Sequence, residues 1–473
     1  MRIVLISTPY MDIYGPIKTA AGIYFPLGLG YIASVLREGG HDVTFVEPEA
    51  HGHTYSDLEK IFKETKPGLV GIGCSTPNFS VAVKIAELAK KHTNAKICIG
   101  GVHVSALPKE ALRDNPILDF VIMGEGEYTM LELADGVSPA KVKGIARRAG
   151  KNIVINPPRP FIEDVDSIPL PARDLVDMDK YRPAAYVGMG KKSATMITSR
   201  GCPSRCTFCA SHLTLGNRFR PRSPENVVAE VEHLVNDYGI EHIIFEDDTF
   251  TVDVERAKKI CNLMIERNID INWYCFSRVT VISRDLLSVM KRSGCYSIGY
   301  GVESGNPEIL KTIKKGITLD QVRKAFDLTK KFNIRILGFF MFGLPGDTPE
   351  TIRQTLDFAK EVNPHMAFFN LMVPYPGTEV FINRDKYGFE ICRDFGSFVS
   401  IGTHAVVTRP GLSDTDLQRY VYKANMEYYL RPLALLRLMK TIRGLSQIEV
   451  YLKGGLGLMK QSIAWMKNSK EES

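Results

Sequence analysis

At 473 residues, with 44% hydrophobic and 24% charged side chains, the chain is too long for one ordinary core and too apolar for wholesale disorder, so two or three domains are expected. A net charge of +7 is only mildly basic; nucleic acid, an anionic membrane surface, an anionic substrate and an ordinary lysine-bearing surface would all account for it. Nine cysteines, an odd number without a regular framework, exclude a disulfide-stapled scaffold and point to reduced thiols.

The opening Met1-Arg2-Ile3-Val4-Leu5-Ile6-Ser7 reads as a strand before Pro9 and lacks the long apolar stretch and cleavage site of a signal peptide. No uninterrupted apolar run reaches the ~20 residues that span a bilayer, so a cytoplasmic protein is expected. Apolar strands at 3–7, 42–47, 69–74, 96–100 and 120–123 alternate with amphipathic helices at 27–39, 55–65, 80–92 and 108–114. That alternation predicts an α/β, doubly wound, Rossmann-like first domain over 1–135, with its ligand at the carboxyl ends of the strands. Residues 136–190, with Pro157, Pro158, Pro160, Pro169 and Pro171, read as a linker. Strands then recur at 194–199, 242–246, 272–277, 297–302, 335–342 and 367–373. Six βα units over 191–395 predict a partial (β/α) barrel with its chemistry on the loops after the strands. Residues 396–473 read as mostly helical.

The first of those loops carries Cys202-Pro203-Ser204-Arg205-Cys206-Thr207-Phe208-Cys209. Three thiols alone do not complete a tetrahedral zinc site, although His212 would supply a fourth ligand. Three cysteines do suit a 4Fe–4S cube with one iron left open. This CxxxCxxC, with an aromatic residue before its last cysteine, resembles the signature of the radical S-adenosylmethionine (SAM) superfamily. The resemblance implies a cluster on Cys202, Cys206 and Cys209 whose open iron binds SAM, and a 5′-deoxyadenosyl radical made by one-electron cleavage of the sulfonium. It also implies an electron donor such as flavodoxin or ferredoxin, and no nucleic-acid partner. Phe208, Glu246, Asp247, Ser277, Arg278, Glu303 and Gly343 match positions where that family contacts SAM. The bland alternative for an acidic strand end is a helix cap or an ion pair.

In the first domain, Ser75, Thr76 and Asn78 follow the third strand, Gly100, Gly101 and His103 the fourth, and Gly124, Glu125 and Gly126 the fifth. Small and hydroxylated residues admit a large planar ligand, whereas a flavodoxin-like regulatory domain would use the same residues as ordinary turns. Beside the cysteine motif these loops resemble the cobalamin-binding domain of cobalamin-dependent radical SAM enzymes, over nearly all of residues 1–400. The Asp-x-His-x-x-Gly motif of many cobalamin proteins is absent, which implies cobalt without a histidine below it, His103 included.

The resemblance implies methyl transfer to an unactivated carbon first, and radical cyclisation or rearrangement second, as in the anaerobic magnesium-protoporphyrin ester cyclases. A non-catalytic cobalamin or redox sensor is the alternative of another class. Between Leu430 and Trp465 the charged residues are Arg431, Arg437, Lys440, Arg443, Lys453 and Lys460 against Glu449. Such a tail either docks peripherally on anionic lipid or caps the barrel. Its resemblance to members acting on hopanoids and tetrapyrroles implies a hydrophobic, lipid-like or tetrapyrrole substrate.

Overall fold

The computed structural model describes residues 1–184, 187, 191–392, 394–400, 405–432 and 434. The first sheet is built from β1 (Arg2–Ser7), β2 (Asp42–Val46), β3 (Leu69–Gly73), β4 (Lys96–Gly100) and β5 (Phe120–Ile122). These run parallel and are crossed by α1 (Leu27–Glu38), α2 (Tyr55–Thr65), α3 (Phe79–His92) and α4 (Pro108–Asp114). Both faces are covered, so the strands are apolar almost throughout: Val4 and Ile6 face one core, Ile3 and Leu5 the other.

Two further strands, β6 (Ile145–Ala149) and β7 (Asn152–Ile155), add antiparallel to the edge in the order β2-β1-β3-β4-β5-β6-β7. The stretch expected as a linker therefore opens with part of the first sheet. Arg147 and Arg148 break the apolar pattern and are half-buried: Arg147 donates to Asn156 Oδ1 at 3.1 Å, and Arg148 to the carbonyl oxygens of Leu118 at 3.4 Å and Asn115 at 3.1 Å.

The second sheet is wholly parallel, in the order β13-β12-β11-β10-β9-β8. Its strands are β8 (Ser193–Met196), β9 (His242–Phe245), β10 (Asn272–Ser277), β11 (Cys295–Glu303), β12 (Arg335–Phe342) and β13 (Met366–Leu371). Side chains outside the helices fix where they start: Ser223, Asp253, Ser283, Thr318 and Thr348 each accept a backbone N–H of the first turn. The six strands form an open barrel. Its outer face packs on those helices. Ile244, Tyr274, Phe276, Leu337, Phe339 and Phe368 point inward. The helix Asp414–Tyr429 closes over β13, where Tyr428 donates to the Pro364 carbonyl oxygen at 2.5 Å. No helix among the described residues is long and apolar enough to cross a membrane. The basic tail beyond Arg431, with Leu433, Leu436, Met439 and Ile442, lies outside the described residues apart from Pro432 and Ala434.

Candidate functional site

A cavity of about 650 Å³ opens at the carboxyl end of the second sheet, and Cys202, Cys206 and Cys209 share its wall. The loop that carries them is fixed from outside. Gly201 has φ +82, and a Cβ there would run into the carbonyl oxygens of Arg218 and Leu215, so only glycine makes the turn. Thr207 N–H donates to the Ile313 carbonyl oxygen at 3.1 Å. Arg278 reaches in with one nitrogen on Ser204 Oγ at 2.7 Å and another on the Lys315 carbonyl oxygen at 2.6 Å. Phe208 turns its ring into a small apolar cluster with Ile313, Leu344 and Met372.

The three thiols form no disulfide. Among the described residues no three His, Cys, Asp or Glu side chains close around a single ion. Thiols spread along one wall fit a group with several irons better than a lone zinc. His212 places Nδ1 3.0 Å from the Cys209 carbonyl oxygen. Burial pushes the Cys209 thiol up to about 11 and raises Cys206 too, but the Lys315 and Arg278 cations pull Cys206 back. Since iron takes the thiolate, these cations favour the ligating form.

Opposite the cysteines the wall is polar. Glu303 ends β11 with φ +69, and its carboxylate meets Lys315 Nζ at 2.7 Å. Ser277 also lines the cavity, as does Asp248, which accepts from Ser211 Oγ. Gly299 and Gly301 leave space that a Cβ would deny to Tyr274, Glu303 and Lys315. Of the residues expected to meet SAM, the structure thus brings Phe208, Ser277, Arg278 and Glu303 onto one cavity wall and leaves Glu246, Asp247 and Gly343 off it. Asp247 points the other way and is 1% exposed. It accepts Thr198 N–H at 3.1 Å, Thr198 Oγ1 at 2.9 Å and Ser199 Oγ, bracing the strand end ahead of the cysteine loop. Gly343 makes a left-handed turn against Leu417. Glu246 stands on the inner face of the barrel. Lys315 escaped the sequence reading, and of the acidic strand end Glu246-Asp247-Asp248 it singled out the first two rather than the third, which lines the cavity. Lys315 sits in a helix connection with no strand-end signal, and Asp248 differs from Asp247 only by one step of strand alternation.

A second cavity, about 570 Å³, lies over the first sheet where β1 and β3 part in opposite directions, the switch point at which doubly wound sheets bind ligands. Ser75, Asn78, Gly100, Gly101, Gly124, Glu125 and Gly126 line it. Thr76 and His103 do not. Thr76 is 1% exposed. The His103 ring is packed 4.5 Å from Phe79 and 4.8 Å from Phe395, and burial lowers its pKa to about 4. The walls are largely apolar, with Leu5, Leu29, Ile72, Ile122 and Met130. A Cβ on Gly73 would press on Leu29, one on Gly126 on Ile32, and one on Gly101 on the Cys74 carbonyl oxygen. Glycine at these points keeps a slot open between α1 and the sheet, a cradle suited to a flat group with a long tail.

Buried ion pairs fasten the walls of the two cavities to each other. Arg200, two residues ahead of Cys202, donates to Glu125 at 2.9 Å and to Glu127 at 2.7 Å. Arg220 donates to Glu125 at 2.8 Å, and Ile162 N–H to its other oxygen at 2.7 Å. Glu125 is thereby spent on fastening the loop after β5 to the barrel. The short helix His212–Leu215 has His212 on the first cavity and Thr214 and Leu215 on the second, so about one helical turn separates them.

Comparison with known proteins agrees with this division. Residues 196–359 match the model of the Radical SAM superfamily, and residues 15–134 that of the B12 binding domain. An uncharacterized methyltransferase of Pyrococcus horikoshii is 34% identical over 462 residues, covering 95% of this chain and 98% of its own. The anaerobic magnesium-protoporphyrin IX monomethyl ester cyclase of Rubrivivax gelatinosus is 31% identical over 374 residues, 76% of this chain and 66% of its own. Among solved structures, the radical SAM methyltransferase TsrM from Kitasatospora setae, with cobalamin and a 4Fe–4S cluster bound, superposes with a TM-score of 0.72 at 17% identity, over 98% of this chain and 99% of its own. That likeness concerns the fold.

Proposed function

This chain belongs to the cobalamin-binding radical SAM family, an enzyme family that works with a 4Fe–4S cluster, SAM and cobalamin, and from that membership we propose that it methylates an unactivated carbon of a largely hydrophobic substrate. One observation carries the reading: the motif thiols and an apolar slot of about 570 Å³ at the switch point of the first sheet lie on either side of a single short helix. In it, Cys202, Cys206 and Cys209 hold the cluster, while Ser277, Arg278 and Glu303, with Asp248 and Lys315, hold SAM. Ser75, Asn78, Gly100, Gly101, Gly124 and Gly126 form the corrin cradle. When bound, cluster and SAM supply the radical and cobalamin the methyl group. The chain's part is to hold the cysteine loop by Arg278, keep Glu303 in place through Lys315, and fix the two cradles relative to each other through Arg200.

The apolar inner face of the barrel and the basic tail support a hydrophobic substrate, reached by peripheral docking on anionic lipid. A radical cyclase remains the second reading, favoured by the cyclase relative. Comparing metabolites and lipids of a deletion strain with its parent tests the reaction. A methylated product that vanishes on deletion supports it; loss of a ring-closed product instead selects the cyclase. Liposome co-sedimentation at low and high salt tests docking. Salt-sensitive binding lost on truncation after Tyr429 is the expected result.

A further inference from the structure

The inner face of the barrel carries one carboxylate that the cofactors leave unused. Continuing the parallel register one step past β8 sets Glu246 beside Ile197, since Phe245 pairs with Met196 and Glu246 N–H donates to the Met196 carbonyl oxygen at 2.9 Å. On its other side Phe245 pairs with Cys275, which brings Glu246 beside Phe276. Strand alternation confirms the direction: Phe245 and Cys275 are in the outer core, Ile244 and Phe276 in the inner cluster. Ile197 lines the second cavity and Phe276 the first. Glu246 therefore stands at the junction of the two cradles.

Around it the inner face is apolar and aromatic. Tyr24, from the wall of the second cavity, joins Tyr274, Phe276 and Phe339 in one contiguous cluster, with Phe276 and Phe339 5.7 Å apart. Glu246 is exposed to the lumen, and among the described residues it has no hydrogen-bond or ion-pair partner. The surrounding protein, and next to it the Asp247 carboxylate, push its carboxyl up to about 7. An acceptor that no protein donor engages, facing the lumen beside aromatic rings, is free to take a hydrogen bond from a bound molecule.

We propose that Glu246 is a substrate-recognition residue, and that the substrate class is a molecule with a flat apolar or aromatic body bearing an N–H or O–H donor close to the carbon that reacts. The aromatic floor takes the body and Glu246 takes the donor, which sets the molecule between the two cofactors. This rests on the function proposed above and deepens it by assigning the substrate's polar handle.

The test uses holoenzyme reconstituted anaerobically with cluster and cobalamin, and four naphthalene probes measured by equilibrium dialysis: 2-naphthylmethylamine, 2-naphthalenemethanol, 2-methylnaphthalene and 2-naphthoate. The amine and the alcohol are expected to bind about tenfold tighter than the two probes without a donor. Glu246→Leu should erase that preference while retaining 2-methylnaphthalene. Glu246→Gln, which keeps an acceptor of the same shape, should hold the alcohol and lose about tenfold on the amine. Unchanged preference in both variants, or no probe binding by wild type, overturns the assignment. Iron and cobalamin content measured on the same samples separate the failures. Wild type that holds neither cofactor overturns the underlying function as well, whereas full loading with unchanged preference overturns only the role of Glu246.

Discussion

Lys315 Nζ lies 2.7 Å from Glu303 Oε1 on the wall of the cysteine-lined cavity, with the two side chains only 13% and 9% exposed. The pair has two tasks. It holds a carboxylate whose backbone is already in the left-handed region, a conformation that costs a non-glycine residue ~1–2 kcal/mol, and it places a cation where it favours the Cys206 thiolate. Lys315→Met is therefore expected to weaken SAM binding by roughly tenfold or more. It should also lower iron incorporation at neutral pH. Raising the pH of reconstitution should recover iron but not SAM affinity, because only the first depends on thiol ionisation. Equilibrium binding of SAM and iron analysis at two pH values separate the effects.

The cysteines make a sharper prediction. Reconstituted protein should carry about four irons per chain, and Cys202→Ala, Cys206→Ala or Cys209→Ala should each abolish 5′-deoxyadenosine formation. Cys261→Ala and Cys295→Ala are the controls: both side chains are at most 1% exposed in the outer core. Their loss should cost ~1–2 kcal/mol of stability and leave the product yield unchanged. Parental yield in any of the three motif variants would contradict the assignment.

Much of this was legible because βα units announce themselves. The helices over Tyr55–Thr65 and Pro108–Asp114 and the strands over Asn272–Ser277 and Arg335–Phe342 fall where apolar periodicity puts them. The hairpin Ile145–Ala149 and Asn152–Ile155 did not stand out, because Arg147 and Arg148, held by acceptors outside the hairpin, interrupt its apolar pattern and the prolines that follow suggest a linker. Site residues were legible as loops but not as side chains. Glu246, Asp247 and Asp248 form one acidic run in sequence. Strand alternation sends the first into the lumen, buries the second against Thr198, and leaves only the third on the cysteine cavity. Glu125 likewise belongs to the expected loop, yet two arginines more than 70 residues away claim it. Such long-range pairing leaves no local pattern.

Those arginines give a prediction about domain coupling. Arg200, Glu125 and Glu127 have side chains at most 5% exposed, and the guanidinium also lies 5.2 Å from the Tyr31 ring. Arg200→Met strands the buried Glu127 carboxylate, leaves Glu125 to Arg220 and the Ile162 N–H, and is expected to cost ~3–5 kcal/mol. Because the loop after β5 forms part of the corrin cradle, cobalamin retention should fall with it, while Arg37→Met, which removes a half-exposed surface pair with Asp174, should change neither. Thermal melts and cobalamin content after gel filtration measure both. Full retention of cobalamin by a destabilised Arg200→Met would confine that arginine to folding.

His103 separates ligand from packing. It is 3% exposed between Phe79 and Phe395, its Nδ1 has no hydrogen-bond partner, and burial lowers its pKa from 6.5 to about 4. The unfolded chain binds a proton at this residue near pH 6.5, and the folded chain resists it until about pH 4. Below pH 6.5 the unfolded state therefore gains protons first, and stability falls as pH drops through that window, by at most ~3 kcal/mol at its acid end. The contribution is fully present above pH 6.5. His103→Phe keeps the aromatic packing and cannot titrate, so urea melts should show a shallower loss between pH 6.5 and 4 than wild type shows. The ring lies off the wall of the second cavity, so the same substitution should leave the visible spectrum of bound cobalamin unchanged. A spectrum shifted to that of cobalt without a nitrogen ligand, with the pH dependence of stability intact, would make His103 a ligand and show that the loop after β4 rearranges when cobalamin binds.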